Sequence, residues 1–165
     1  AAEVEAQGSS SSDDEEFEAR RIRSAFPLVG VDTVEATLPQ ELGRDVWDIS
    51  FTKGCYLGQE IVTRIHNLGN PKQQLVALVI EGEALPIAGA AVLPPGDDED
   101  RKAVGVITSS TISPRRGAQP MAFAMVRGKN AEPGNQFCIL AEGVEVSAEV
   151  IPLASLSAPG KPDET

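Results

Sequence analysis

The sequence predicts an α+β protein that is mainly β, with a six-stranded antiparallel β-barrel at its C-terminal side and a helical segment before it. Three observations support this fold class. Short apolar runs separated by turn residues recur after residue 74, which is typical of a closed barrel or sandwich. The part before residue 74 shows helical spacing of apolar residues instead. Apolar residues make up 41% of the 165 residues and aromatic residues 4%, so the core is expected to be aliphatic.

Residues 1–16 are predicted to be a disordered acidic linker or insertion. They include six acidic residues and no basic one, with Val4 as the only large apolar side chain, so they bury too little surface to offset the entropy of ordering. The net charge of the whole chain is −11, which argues against nucleic acid and anionic membranes as partners because both repel an acidic protein. No apolar run approaches the roughly 20 residues of a membrane span.

A first helix is predicted from Ser12 to about Ser24. Ser12 and Glu15 have the spacing of a capping box, and Pro27 disfavours helix at the residue before it. Residues 27–50 then have the glycine and proline content of an extended, loop-rich connection.

A second helix is predicted over residues 58–67, after a brief strand at 48–52. Ile61, Val62 and Ile65 would share one face of this helix. From residue 75 onward the pattern predicts β-structure, followed by a frayed tail at 154–165. The strand candidates are Leu75–Ile80, Ala90–Leu93, Ala103–Ser109, Met121–Val126, Gln136–Leu140 and Val144–Ile151.

Cys55 is the first candidate for chemistry. It lies in the segment Lys53–Glu60, which reads KGCYLGQE and is called the signature segment below. A cation two residues away and a helix beginning just after it both favour thiolate over thiol. A thiolate attacks electrophiles, exchanges with disulfides or ligates iron, and the residues alone leave nucleophile and metal ligand equally open. Cys138, inside an apolar strand candidate, is predicted to be a packed, inert thiol.

The chain offers too few ligands to close a metal site. An iron–sulfur cluster usually takes about four protein ligands, commonly all thiolates. His66 lies at the far end of the second predicted helix, about 15 Å from Cys55 by helix rise. If Cys55 ligates a cluster, the other ligands must therefore come from a partner chain or a small thiol. The two cysteines make no disulfide framework and fit a reducing compartment.

The signature segment resembles that of the YgfZ-type proteins, which belong to the superfamily of the glycine-cleavage T-protein. The resemblance covers about residues 17–153. The flanking pieces that agree with the pattern are residues 17–30, 38–41 and 49–52, then Arg64, His66 and Gly69, and in the barrel residues 105–109, Gly117 and 122–126.

The resemblance implies a factor for the assembly or repair of iron–sulfur clusters, supporting maturation of [4Fe–4S] proteins. Family members bind a tetrahydrofolate-type cofactor, mostly through an N-terminal half that this chain lacks. Residues 17–74 would then be the end of the folate-binding domain and residues 75–153 the C-terminal barrel. The implied partners are iron–sulfur carrier or scaffold proteins and folate, with Cys55 as reactive thiol or as a ligand of a cluster shared with a partner. The residues implied on the cofactor side are Lys53, Gly54, Tyr56, Gly58, Gln59, Glu60 and Arg64.

Two other functions stay open at this point. Aminomethyltransferases of the superfamily have an aromatic residue and an arginine where this chain has Cys55 and Gln59, so the resemblance argues against that branch, but a folate-dependent one-carbon transferase remains an alternative. A non-catalytic interaction barrel is another. Mitochondrial matrix is the expected compartment, with plastid stroma or bacterial cytoplasm as alternatives.

Overall fold

The computed structural model describes residues 13–43, 49–50, 53–68, 71–96, 100–113 and 117–153. Within them the helices are α1 (Asp13–Arg23) and α2 (Gln59–Leu68), and the 3₁₀ turns are Pro39–Leu42 and Gly128–Asn130. The strands are β1 (Gln73–Ile80), β2 (Ala91–Leu93), β3 (Gly105–Ser113), β4 (Gln119–Arg127), β5 (Gln136–Ala141) and β6 (Val144–Ile151).

The six strands close into an antiparallel barrel with the order β1-β4-β3-β2-β5-β6. Strands β5 and β6 form a hairpin, and β6 pairs back onto β1 to close the barrel. The predicted fold class is therefore confirmed. Each of the six strand candidates is a strand, and β6 has the predicted bounds.

Apolar side chains fill both the barrel interior and a layer outside it. Val76, Leu78 and Ile80 of β1 point inward with residues from the other strands. Leu75 and Ala77 point outward, where Ile22 of α1 packs against them and against Met121 and Phe123 of β4. Strand β1 is apolar along most of its length because both of its faces are buried, the outer one against Ile22 of α1 and Leu42 of the 3₁₀ turn.

A buried carboxylate fixes α1 and the loop after it to the barrel. Asp32 Oδ2 accepts hydrogen bonds from Arg21 Nη1 at 2.6 Å and from the Leu28 amide at 2.9 Å. Its Oδ1 accepts hydrogen bonds from the hydroxyls of Thr108 and Ser109, both at 2.6 Å. Consecutive strand residues normally face opposite sides of a sheet, but β3 has an irregularity between Ile107 and Ser109, and a bulge there lets both hydroxyls reach one oxygen.

Apart from the exact ends of helices and strands, the described residues differ from the predicted local structure in three places. The acidic residues 13–16, which composition places in the disordered segment, are the first turn of α1, since acids favour the positive end of a helix and Glu16 pairs with Arg20 at 3.0 Å. Ile49 and Ser50 are not in a strand, and the rest of the predicted strand at 48–52 lies outside the described residues. Ile61 does not share the buried face with Val62, because its side chain is 55% exposed.

Candidate functional site

The signature segment forms a surface turn that leads into α2. Cys55 is exposed and precedes the first helical residue, Gln59, which begins the helix one position later than predicted. The Gln59 amide donates to the Tyr56 carbonyl at 3.2 Å, and the Val62 amide donates to the Gly58 carbonyl at 3.2 Å. Gly58 has a φ of +86°, a conformation that residues with side chains rarely adopt, so a glycine is needed here for the turn itself.

The charge of Lys53 lies over the ring of Tyr56. The ammonium nitrogen is 4.4 Å from the ring centroid, which is cation–π geometry. The sequence suggested that Lys53 would favour the thiolate of Cys55. In the structure the ammonium group of Lys53 contacts the ring of Tyr56, which is half-buried, while Lys53 and Cys55 are both exposed.

Cys55 is exposed, and the glycine before it borders open space. A Cβ placed on Gly54 would meet no atom within 4 Å, so packing does not explain why this residue is glycine. The Leu57 side chain is fully exposed, and Ile61 is half-exposed one turn further along α2. A bulky partner can therefore approach Cys55 without displacing any part of the described chain.

An open groove of about 560 Å³ lies on the first turns of α2 and includes the last two residues of the signature segment. Gln59, Glu60, Thr63 and Arg64 line it, so three of the predicted cofactor-side residues share one surface. Glu60 and Arg64 have i,i+4 spacing, yet their side chains form no ion pair in the structure. Cys55 is not among the residues that line this groove.

The 3₁₀ turn Pro39–Leu42 attaches α2 to the barrel. Gln40 Nε2 donates to the Val62 carbonyl at 2.9 Å, and the neighbouring Glu41 accepts a hydrogen bond from Gln73 Nε2 at 3.2 Å. Both side chains are buried, and Glu41 also accepts from the Leu38 amide at 3.0 Å. The sequence prediction missed this connection, although a Gln-Glu pair in a loop-rich segment was a polar signal without an assigned role.

In the part of the chain that the structure describes, no three His, Cys, Asp or Glu side chains gather closely enough to hold a metal ion. The side chain of His66 lies outside the described ones. Across the same residues, none of the helices has the length and apolar character to span a bilayer.

Comparison with known proteins identifies the barrel. Residues 73–154 match the model of the glycine cleavage T-protein C-terminal barrel domain. A crystal structure of the glycine cleavage system aminomethyltransferase T from Bartonella henselae superimposes with a TM-score of 0.65 at 22% identity, covering 85% of this chain and 38% of that one. The chain belongs to the glycine-cleavage T-protein superfamily.

The similar curated proteins place this superfamily member beside the YgfZ type. It is 36% identical over 95 residues to the "tRNA-modifying protein YgfZ" of Blochmanniella pennsylvanica, a match that covers 54% of this chain and 29% of that protein. It is 29% identical over 108 residues to the "Iron-sulfur cluster assembly factor IBA57 homolog, mitochondrial" of Eremothecium gossypii, a match that covers 64% of this chain and 22% of that protein. Aminomethyltransferases also match. The chain spans about a third or less of the length of these relatives.

The second thiol, Cys138, is less packed than predicted, while its raised pKa agrees with the predicted low reactivity. In β5 the side chains of Phe137, Ile139 and Ala141 point inward, so Cys138 points out of the barrel and is half-buried. It lies next to Glu145, whose carboxylate receives two hydrogen bonds from Arg101 at 2.9 and 3.1 Å. Burial raises the pKa of the Cys138 thiol, and its hydrogen bond to Glu145 raises it further, while Arg101 acts in the opposite direction. Strand alternation could have placed this residue outside.

Ion pairs shift the pKa of two further groups, Glu145 and Arg21. The hydrogen bond from Arg101 lowers the pKa of Glu145, and the Cys138 thiol contributes in the same direction. Burial acts to lower the pKa of Arg21, but its hydrogen bond to Glu18 and the charge of Asp32 outweigh burial, so the Arg21 pKa is raised. The side chain of Arg21 is 3% exposed, so both of its ion pairs lie in a largely buried setting.

Proposed function

We propose that this chain is part of a factor for iron–sulfur cluster assembly or repair, in which Cys55 contacts a cluster or a thiol on a partner protein. The observation that carries the proposal is an exposed cysteine on a surface turn, with open space beside the preceding glycine and no companion ligands among the described residues. The similarity to a protein named an iron–sulfur cluster assembly factor supports this proposal, and the YgfZ relatives are named tRNA-modifying proteins.

The cluster in this proposal is cargo. A single thiolate supplies one ligand of a cluster that usually takes about four, so the remaining ligands come from the protein that delivers or receives it. Gly54 and Gly58 leave the backbone beside the thiol uncovered, and Leu57 offers an apolar contact next to it. Cys55 thus fits a shared ligand better than a resident metal centre.

A tetrahydrofolate-type cofactor is the second element of the proposal. Gln59 and Arg64 can hydrogen-bond to a heteroaromatic amide or a carboxylate, and both line the groove on α2. That groove is open and provides one wall, so we propose that folate binding needs residues beyond this chain. The chemistry that folate would supply is one-carbon chemistry.

The test uses the chain, or a longer protein that contains it, mixed anaerobically with a cluster-loaded iron–sulfur carrier. A complex that forms with the loaded carrier and not with the apo carrier, and that Cys55→Ser abolishes, is the expected result. Cys138→Ser is the matched control and should leave the complex intact, because that thiol belongs to the Arg101–Glu145 cluster. A complex unaffected by Cys55→Ser contradicts the ligand role.

A folate-dependent one-carbon transferase of the aminomethyltransferase type is the second candidate, supported by the aminomethyltransferases among the similar proteins. It predicts turnover of a folate one-carbon donor by a longer protein that contains this chain. Intact folate binding without turnover would rule it out.

The relatives come from bacteria and, in one case, carry a mitochondrial name. We propose a reducing compartment such as the mitochondrial matrix, since an exposed cysteine used as a thiolate must be kept reduced.

A further inference from the structure

We propose that Gln40 is a positioning residue for the signature segment, and that it sets where Cys55 stands relative to the barrel. The inference rests on the proposed function in that Cys55 is the group to be positioned. It is carried by the 3₁₀ turn Pro39–Leu42, in which Gln40 bonds α2 and the next residue, Glu41, bonds the start of β1.

The turn is fixed on the barrel side. Glu41 accepts hydrogen bonds from the Leu38 amide at the start of the turn and from Gln73 of β1, so the turn cannot slide along β1 without breaking the bond to Gln73. At its other end Gly43 has a φ of +64°, and a Cβ placed there would lie 3.1 Å from Leu153 Cδ1 and 3.3 Å from Gln74 Nε2. A conformation and a space that suit glycine therefore seat the turn tightly against the barrel.

The side-chain amide of Gln40 connects the turn to α2. The Gln40 side chain hydrogen-bonds directly to the backbone of this helix. Its bond to the Val62 carbonyl is 2.9 Å long, and Val62 is the buried residue in the first turn and a half of α2. Fixing Val62 fixes the helix that follows the Cys55 turn.

The amide also carries a cost that packing alone does not explain. Gln40 is 4% exposed, and its Oε1 has no hydrogen-bond partner. An unsatisfied buried acceptor is unfavourable, and an apolar side chain of similar shape would avoid that cost. The directional bond from Nε2 to α2 is what a glutamine provides here and a methionine does not. A role in orientation, rather than in stability, accounts for this residue.

The experiment places a nitroxide spin label on Cys55 in the 165-residue chain carrying Cys138→Ser, and compares label motion with thermal unfolding. Gln40→Met removes the donor and keeps the volume, and Gln40→Glu places an acceptor where the donor was. Gln136→Met and Gln136→Glu are the matched controls, since Gln136 is an exposed glutamine on β5 that also donates one side-chain bond, to Glu149 at 3.1 Å.

Losing one net hydrogen bond corresponds to roughly a fivefold change in the equilibrium that docks the helix. We expect faster label motion in Gln40→Met and faster still in Gln40→Glu, with a Gln40→Met midpoint no lower than that of Gln136→Met and with unchanged label motion in both controls. Label motion that is unchanged in both Gln40 variants overturns the proposal, and so does motion that increases only as the whole chain unfolds. No cluster or partner is used, so this result is independent of the test of the proposed function.

Discussion

Arg21 and Asp32 form an ion pair at 2.6 Å in which neither side chain is more than 3% exposed. The carboxylate is saturated with donors, since Arg21 and the Leu28 amide bond one oxygen while Thr108 and Ser109 bond the other. The pair therefore joins α1, the loop after it and the bulge of β3 through one charged group. A site of this kind stabilises the fold little by its own attraction, but removing one partner is costly because a buried charge remains.

Asp32→Ala should lower the free energy of unfolding by about 3 kcal/mol, because it leaves Arg21 buried with Glu18 as its remaining acidic partner. Chemical denaturation measures this loss. Glu16→Gln is the control, since it removes an exposed pair with Arg20 at 3.0 Å and should cost less than about 0.5 kcal/mol. Equal losses in the two variants would show that the buried pair does not hold α1 to the barrel.

Substitution of the two glycines of the signature segment should distinguish a glycine needed for folding from one that leaves Cys55 accessible. Gly58→Ala should destabilise the chain by about 1 kcal/mol or more, because alanine is strained at a φ of +86°. Gly54→Ala should leave stability unchanged, since the added methyl meets no atom within 4 Å. Thermal unfolding tests both. Slower modification of Cys55 by a bulky maleimide in Gly54→Ala would show that the open space at Gly54 lets large molecules reach the thiol.

The two cysteines should differ in alkylation as the pH rises. Cys55 is exposed and should react readily, whereas Cys138 is half-buried and its pKa is raised, so its thiolate forms only at higher pH. Mass spectrometry after timed iodoacetamide treatment resolves the two sites. Glu145→Gln should accelerate the reaction of Cys138 and Arg101→Met should slow it, because the carboxylate raises this pKa and the guanidinium lowers it.

The raised pKa of Cys138 also predicts how the stability of the chain changes with pH. A thiol whose folded pKa lies above its unfolded value contributes stability that is fully present below the unfolded pKa and is lost as the pH rises through the folded one. Replacing Cys138 with serine should therefore remove a decline in stability on the alkaline side. A stability profile that is identical with and without Cys138 in that range would contradict the shift.

Gly105→Ala should destabilise the barrel by several kcal/mol, comparable to the cost of about 1–3 kcal/mol or more for overpacking a core. A Cβ at this position would lie 2.6 Å from the Met125 carbonyl oxygen and 2.6 Å from Val126 Cγ1, where β3 meets β4. Gly54→Ala, which meets no atom, is the matched control for the same chemical change. A normal unfolding midpoint for Gly105→Ala would mean that the strands can separate locally at no great cost.

The barrel could be predicted from the sequence because its signals are local. Turn residues bound each strand, and alternation in β5 and β6 follows burial on one face. The exact strand ends differ by a few residues because pairing partners extend strands beyond their apolar run, as in β3, which continues to Ser113. The signature segment was likewise recognisable from its residues.

The polar contacts could not be predicted, because each joins residues far apart in the chain. The hydrogen bond between Ser109 and Asp32 forms only because β3 has a bulge and α1 packs on the barrel, and neither feature is visible in the sequence. Gln40 likewise has no visible partner before α2 is placed. Cys138 and Glu145 meet because β5 and β6 pair in one register, and Arg101 reaches Glu145 from the segment before β3; sequence alone fixes neither contact.

The outer apolar layer on β1 and β4 has a consequence for how the chain can be divided. A piece trimmed to residues 73–154, the extent of the matched barrel domain, would leave Leu75, Ala77, Met121 and Phe123 facing water once Ile22 is gone. An exposed apolar patch of this kind promotes self-association. The unit that can be cut out and studied alone therefore starts upstream of the barrel, at α1.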